Sequence, residues 1–158
     1  MDEKGSLEDV RNLIKLYDLD NEQLKEIISE HLKNNYVPIE IFSINKLNPL
    51  EAIVKYLKEN KNLKFSEISK LLDRDARTIW TTYNNTKNKS KISVKSSFLI
   101  PLKIFKNKNL SILESLVKYL RNDSRLSLSE IAKILSRDQR NIWKVYNNSI
   151  RKSNEEKR

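Results

Sequence analysis

The sequence predicts an all-α protein: two copies of a three-to-four-helix unit, preceded by an N-terminal helical hairpin. The first of three observations behind this is a repeat. Val37-Pro38-Ile39-Glu40-Ile41-Phe42 returns as Ile100-Pro101-Leu102-Lys103-Ile104-Phe105. Glu51-Ala52-Ile53-Val54-Lys55-Tyr56-Leu57 returns as Glu114-Ser115-Leu116-Val117-Lys118-Tyr119-Leu120. The offset stays at 63 without a gap from Pro38/Pro101 to Asn85/Asn148, the mark of a duplicated supersecondary unit. The second observation is apolar residues recurring three and four apart, the period of a helix with one buried face. The third is a series of Ser or Asn residues followed three positions later by Glu, the spacing of a capping box.

The elements follow in order. In residues 1–36, Leu7, Val10, Leu13, Ile14 and Tyr17 form one helical stripe, and Leu24, Ile27, Ile28 and Leu32 form another. Ser6 suits the N-cap of the first helix, and Asp20 or Asn21 that of the second. The only histidine, His31, lies beside this stripe and reads as a packed or surface residue. Repeat one occupies 37–86 and repeat two 99–150. Each opens with a Pro-led segment whose proline suits the first turn of a short helix, ending in a core Phe42 or Phe105. Helices then start at Asn48-Pro49-Leu50-Glu51 and Ser111-Ile112-Leu113-Glu114, with buried stripes Leu50, Ile53, Val54, Leu57 and Leu113, Leu116, Val117, Leu120.

The next helix of each unit runs Phe65–Leu72 and Leu128–Leu135. Ser127-x-x-Glu130 is a further capping box, whereas repeat one has Lys64 at the cap position, which cannot accept amide bonds. Three-residue turns follow, Asp73-Arg74-Asp75 and Ser136-Arg137-Asp138. A last helix runs from Ala76 to about Thr86, and from Gln139 to about Ser149, with Asp75 and Asp138 placed to cap it. Residues 87–98 lack helical periodicity and read as a flexible basic linker, and 151–158 as a frayed polar tail.

Composition removes several classes of function. The 158 residues contain no cysteine and one histidine, which leaves little for disulfides, zinc or a Ser-His-Asp triad, and no cofactor is expected. No apolar run approaches the ~20 residues that span a bilayer, and no signal pattern opens the chain. A soluble cytoplasmic protein is expected. The net charge of +10 is uneven: −4 over residues 1–36, +2 over 37–85, +4 over 86–99, +6 over 100–148 and +2 beyond. A basic body suits a polyanionic partner.

Helix, helix, three-residue turn, helix is the helix-turn-helix order. The residues Glu67-Ile68-Ser69-Lys70-Leu71-Leu72 then Ala76-Arg77-Thr78-Ile79, and Glu130-Ile131-Ala132-Lys133-Ile134-Leu135 then Gln139-Arg140-Asn141-Ile142, carry the detail. The chain resembles the helix-turn-helix superfamily, especially the versions in sigma-factor region 4 and in response-regulator output domains. The shared Arg-Asp-x-Arg-x-Ile-Trp-x-x-Tyr is also similar to small archaeal tandem helix-turn-helix proteins. The resemblance covers both repeats and implies a non-enzymatic, nucleoid-associated protein that binds double-stranded DNA and regulates transcription. It departs at the turn: the superfamily has glycine where this chain has Asp73 and Ser136. Either these two take the left-handed conformation or the turn is built differently.

On the last helix of each unit, Ile79 and Tyr83 face the core, so the opposite face presents Arg77, Thr81, Asn84 and Asn85. The second copy presents Arg140, Lys144, Asn147 and Asn148. Arg and Lys suit guanine, and Asn suits adenine, in a major groove. Trp80 and Trp143 lie beside this face; each either packs on the preceding helix or meets the DNA backbone. Arg74, Arg137 and Lys64 are placed for phosphate, as are the linker lysines Lys89 and Lys91. Two alternatives stand beside a regulator. One is an architectural nucleoid protein of low specificity, and another a protein-interaction module of the transcription machinery. The hairpin allows homodimerisation or docking on the repeats. An enzyme would need a catalytic domain, and no segment outside the repeats is large enough to hold one.

Overall fold

The structure is a computed structural model that describes Asp20 and residues 22–26, 35–86, 88, 89, 92 and 98–155. Residues 1–34 and 35–158 form separate compact units. Of the first, residues 22–26 are helical, and Asp20 Oδ1 accepts the N–H groups of Glu22 and Gln23 at 2.9 and 2.8 Å, the expected cap. The hairpin stripes from Leu7 to Tyr17 and from Ile27 to Leu32, with Ser6 and His31, lie outside the described residues.

The second unit is mainly helical, with one small sheet. Strand β1 (Tyr36–Pro38) leads into a 3-10 helix, Ile39–Ser43, then α1 (Pro49–Glu59), α2 (Phe65–Leu72) and α3 (Ala76–Thr86). The order recurs as β2 (Leu99–Pro101), a 3-10 helix Leu102–Lys106, α4 (Ile112–Asn122), α5 (Leu128–Ile134) and α6 (Gln139–Glu155). The strands were not expected. Pro38 and Pro101 close the strands and precede the 3-10 helices, rather than sitting in a first helical turn. Their backbones, at φ −66° and −67° with extended ψ, serve both purposes. β1 and β2 pair antiparallel with Val37 opposite Ile100.

The expected caps form. Asn48 and Ser111 side chains accept from Glu51 and Glu114 N–H, and each glutamate accepts back from the cap N–H. Ser127 and Glu130 do the same. Asp75 Oδ1 accepts from Arg77 and Thr78, and Asp138 Oδ1 from Arg140 and Asn141, at 2.8 to 3.2 Å. Both turns are left-handed at their first residue: Asp73 has φ 49° and Ser136 φ 50°. Arg74 N–H reaches back to Ser69 O and Arg137 N–H to Ala132 O, closing each helix end.

One continuous core runs through both repeats. It joins Val37, Phe42, Ile53, Leu57, Ile68 and Ile79 to Ile100, Phe105, Leu116, Leu120, Ile131 and Ile142. The rings of Phe42 and Phe105 meet at 5.7 Å between centroids. Each repeat alone is near the lower size limit for an independent core, and the shared one resolves that.

Two boundary expectations need correction. The polar tail is not frayed through Glu155, because α6 continues to that residue. There Lys152 bonds both oxygens of Glu114 at 2.9 Å, and Lys118 donates to Ser153 Oγ at 2.6 Å. Nor is the whole of 87–98 a free linker. Ile92 is buried in the core, and Lys89 bonds both oxygens of Glu51 at 3.0 and 3.1 Å. Lys89 and Lys152 stand 63 apart, as do Glu51 and Glu114, so the repeat continues past Asn85 and Asn148.

Candidate nucleic-acid interface

Helices α3 and α6 present the faces of interest. Each is anchored by a fully buried isoleucine, Ile79 or Ile142, and by a half-buried tyrosine. Tyr83 hydroxyl donates to Glu59 Oε1 at 3.3 Å, and Tyr146 hydroxyl to Asn122 Oδ1 at 2.9 Å. Burial, then the charge of Glu59, pushes the Tyr83 phenol above its ordinary range. Thr86 Oγ1 at the end of α3, and Ser149 Oγ at the equivalent place within the longer α6, are buried and donate to the Tyr83 and Tyr146 carbonyls. The buried Lys55 donates to Thr86 O at 3.2 Å and to Glu59 at 2.7 Å, placing a cation at the negative end of the α3 dipole.

The opposite faces are open. Arg77, Thr78, Trp80, Thr81 and Asn85 are exposed on α3, and Arg140, Asn141, Trp143, Lys144, Asn147 and Asn148 on α6. Trp80 keeps 55% of its surface exposed and Trp143 56%. More than half of each indole is therefore open to solvent, and neither tryptophan belongs to the core. Asp138, Gln139, Arg140, Trp143 and Lys144 line an open depression at the start of α6. Asn84 differs from its counterpart Asn147: it is half-buried, and its Nδ2 is shielded with no hydrogen-bond partner among the described residues.

The expected phosphate ligands divide. Lys64 is exposed, and its backbone N–H donates to Glu67 at 2.6 Å while its side chain leaves the cap unfilled. At the matching place Ser127 hydroxyl donates to Glu130 at 2.6 Å; this bond and the Ser127 N–H hold the Glu130 carboxyl below its usual range. Arg74 is committed elsewhere. Its Nη2 donates to Asn107 O at 3.1 Å and Leu110 O at 2.7 Å, in the loop before α4, and Lys108 pairs with Asp73 beside it. Arg137 is half-buried, with its Nε shielded and unpartnered among the described residues. Lys89 is held by Glu51, and Lys91 lies outside the described residues.

Sequence reasoning missed the pairs Glu51–Lys89 and Glu114–Lys152, in which a buried glutamate ties the start of α1 to the chain just after α3 and the start of α4 to the last turn of α6. The signal was present: Lys89-Ser90 recurs as Lys152-Ser153. Burial raises the Glu114 carboxyl, but hydrogen bonds from Lys152 and Ser111 and the Lys152 charge outweigh it and leave it below its ordinary value. Among the described residues no helix is long and apolar enough to cross a membrane. No protein-family model, no curated protein and no solved structure matches the chain.

Proposed function

We propose that the chain binds double-stranded DNA through two helix-turn-helix units, α2–α3 and α5–α6, with α3 and α6 in successive major grooves, as a transcriptional regulator. The observation that carries this is the outward Trp-Arg face, kept at equivalent positions on both helices. An indole left half in water forgoes much of the stabilisation its burial would give, and here it is left so twice. Arg77 and Arg140 lie three residues before them, with Asn85 and Asn148 further along. Arginine reads guanine and asparagine reads adenine, so the face has the chemistry of base readout. Lys144 in place of Thr81 makes the second head more basic.

The two tryptophans are the only ones in the chain, so their emission reports on this face directly. Titration with a random-sequence duplex pool should quench it, with affinity falling steeply as salt rises. Arg140→Ala should then cost ~1–3 kcal/mol on a selected site and relax specificity there. Emission and mobility unchanged by any duplex at low salt would sink the reading. A second reading draws on the same residues: exposed Trp and Arg also dominate protein–protein hot spots. It is favoured if emission shifts with a protein partner and not with DNA. Equal affinity for all duplexes would point to an architectural role.

A further inference from the structure

Around the ribbon the two copies touch through equivalent residues. Val37 pairs with Ile100, its own counterpart, at the centre of an antiparallel ribbon. On either side Tyr36 meets Pro101 and Pro38 meets Leu99, each the exchange of the other. Phe42 packs at a tilt against its counterpart Phe105. Asn48, Pro49 and Leu50 line one cleft with their counterparts Ser111, Ile112 and Leu113. Helix α1 is in contact with α4, again its counterpart. Copies related by translation along the chain would instead meet through unlike surfaces. Like against like is the mark of a two-fold relation, the isologous contact of a symmetric dimer. Duplication inside one chain has thus built a local dyad, passing between Val37 and Ile100.

From this, and resting on the DNA-binding reading, we propose that the target is a dyad-symmetric duplex site: two copies of one half-site on opposite strands, not two in tandem on the same strand. Each copy has the same internal order of elements, so a dyad that exchanges the ribbon partners would, extended through both copies, exchange α3 with α6. A single duplex held by both helices must place its own local two-fold axis on the protein's. The half-sites then match where the heads match, at Arg77/Arg140 and Asn85/Asn148, and differ where Lys144 replaces Thr81 at the equivalent position. The symmetry is imperfect: α2 packs on the 3-10 helix Leu102–Lys106 with no comparable packing of α5 on Ile39–Ser43, and Arg74 reaches the Asn107 and Leu110 carbonyls while Arg137 makes no matching bond among the described residues.

The test uses the full chain and the half-site recovered from a random duplex selection. Four duplex designs are compared over a range of spacings: convergent half-sites, divergent half-sites, direct repeats and a single half-site. One symmetric arrangement should bind on the order of a hundredfold tighter than the best direct repeat or the single half-site, through the linkage of two heads. Binding should saturate at one chain per duplex, read by native mass spectrometry. A direct repeat that equals the best symmetric site overturns the dyad while leaving DNA binding intact. So does a single half-site of equal affinity, or two chains on each symmetric duplex. Absence of salt-sensitive binding to every duplex removes the DNA reading, and this inference with it.

Discussion

The two repeats solve the same packing problem with different surroundings. Both keep the Asp cap of the last helix, the left-handed first turn residue, the Glu–Lys pair and the exposed tryptophan. They differ in what borders these. Repeat one lacks the side-chain cap that Ser127 gives repeat two. Repeat one docks its Arg74 turn on the loop before α4, and α6 is longer than α3. What is kept fixes the direction of one helix, α3 or α6, relative to its core. What has drifted concerns neighbours and charge. Positioning of that helix, rather than stability in general, has constrained both copies.

The largest effect should come from removing the contact the copies share. Phe42→Ala and Phe105→Ala should each cost ~3–5 kcal/mol, and similar amounts if the seam is symmetric. The double variant should cost less than the two singles together, by about 0.5–1.5 kcal/mol, because the rings touch. Denaturant midpoints of the four chains decide this. Full additivity would break the picture of a common core.

Next is the pair of buried Glu114 with part-exposed Lys152. Glu114→Gln should cost ~1.5–3 kcal/mol near neutral pH, as Lys152 loses its charged partner. The Glu114 carboxyl lies below its ordinary value of 4.5 when folded, so the unfolded chain takes up the proton first as pH falls. Its stabilisation is therefore complete above that value and is lost progressively as pH drops through it toward the folded pKa. Melting temperatures across this range should fall more steeply for the parent than for Glu114→Gln. Parallel curves would remove Glu114 from the acid response.

The caps give a smaller contrast of opposite sign. Ser127→Ala should destabilise by ~0.5–2 kcal/mol, whereas Lys64→Ser should stabilise by a similar or smaller amount. If Lys64 meets phosphate, the more stable Lys64→Ser chain should also bind DNA more weakly at low salt. Thermal melts paired with binding at two salt concentrations separate the two roles. The smallest effect is at the turns. Ser136→Gly should relieve left-handed strain and raise stability by about 0.5 kcal/mol, net of glycine's entropy, while Asp73→Gly should gain less because aspartate tolerates that region better. A destabilised Ser136→Gly chain would mean that the serine side chain supports the turn.

The helices and their caps were legible because each is encoded locally, by Asn48, Ser111, Ser127, Asp75 and Asp138 and by the spacing of apolar residues, whereas the conformation of Asp73 and Ser136 was left open and the structure makes it left-handed. The β1–β2 ribbon was not, since three residues containing a proline carry no strand period and their pairing depends on a partner 63 positions away. The role of Arg74 was hidden for the same reason: the Asn107 and Leu110 carbonyls come from the other copy. On the candidate face, periodicity placed Arg77, Thr81, Arg140, Lys144 and Asn147 outward correctly. It could not decide the tryptophans, which stand about 100° from the buried isoleucines, where a helix surface can be covered or bare.

The covalent fusion of two like surfaces has a consequence for how such a protein can change. In a dimer of identical chains, any substitution near the axis happens on both sides at once, and one that suits only one side is felt twice. Here Phe42 and Phe105, or Arg74 and Arg137, are separate codons. The seam could therefore acquire the one-sided anchor of Arg74 on the loop before α4, which a symmetric pair could not hold on one flank alone without breaking its symmetry. The same independence extends outward to Thr81 and Lys144: each face can be altered while the other is kept, so the chain has a two-fold scaffold without being bound to two-fold chemistry.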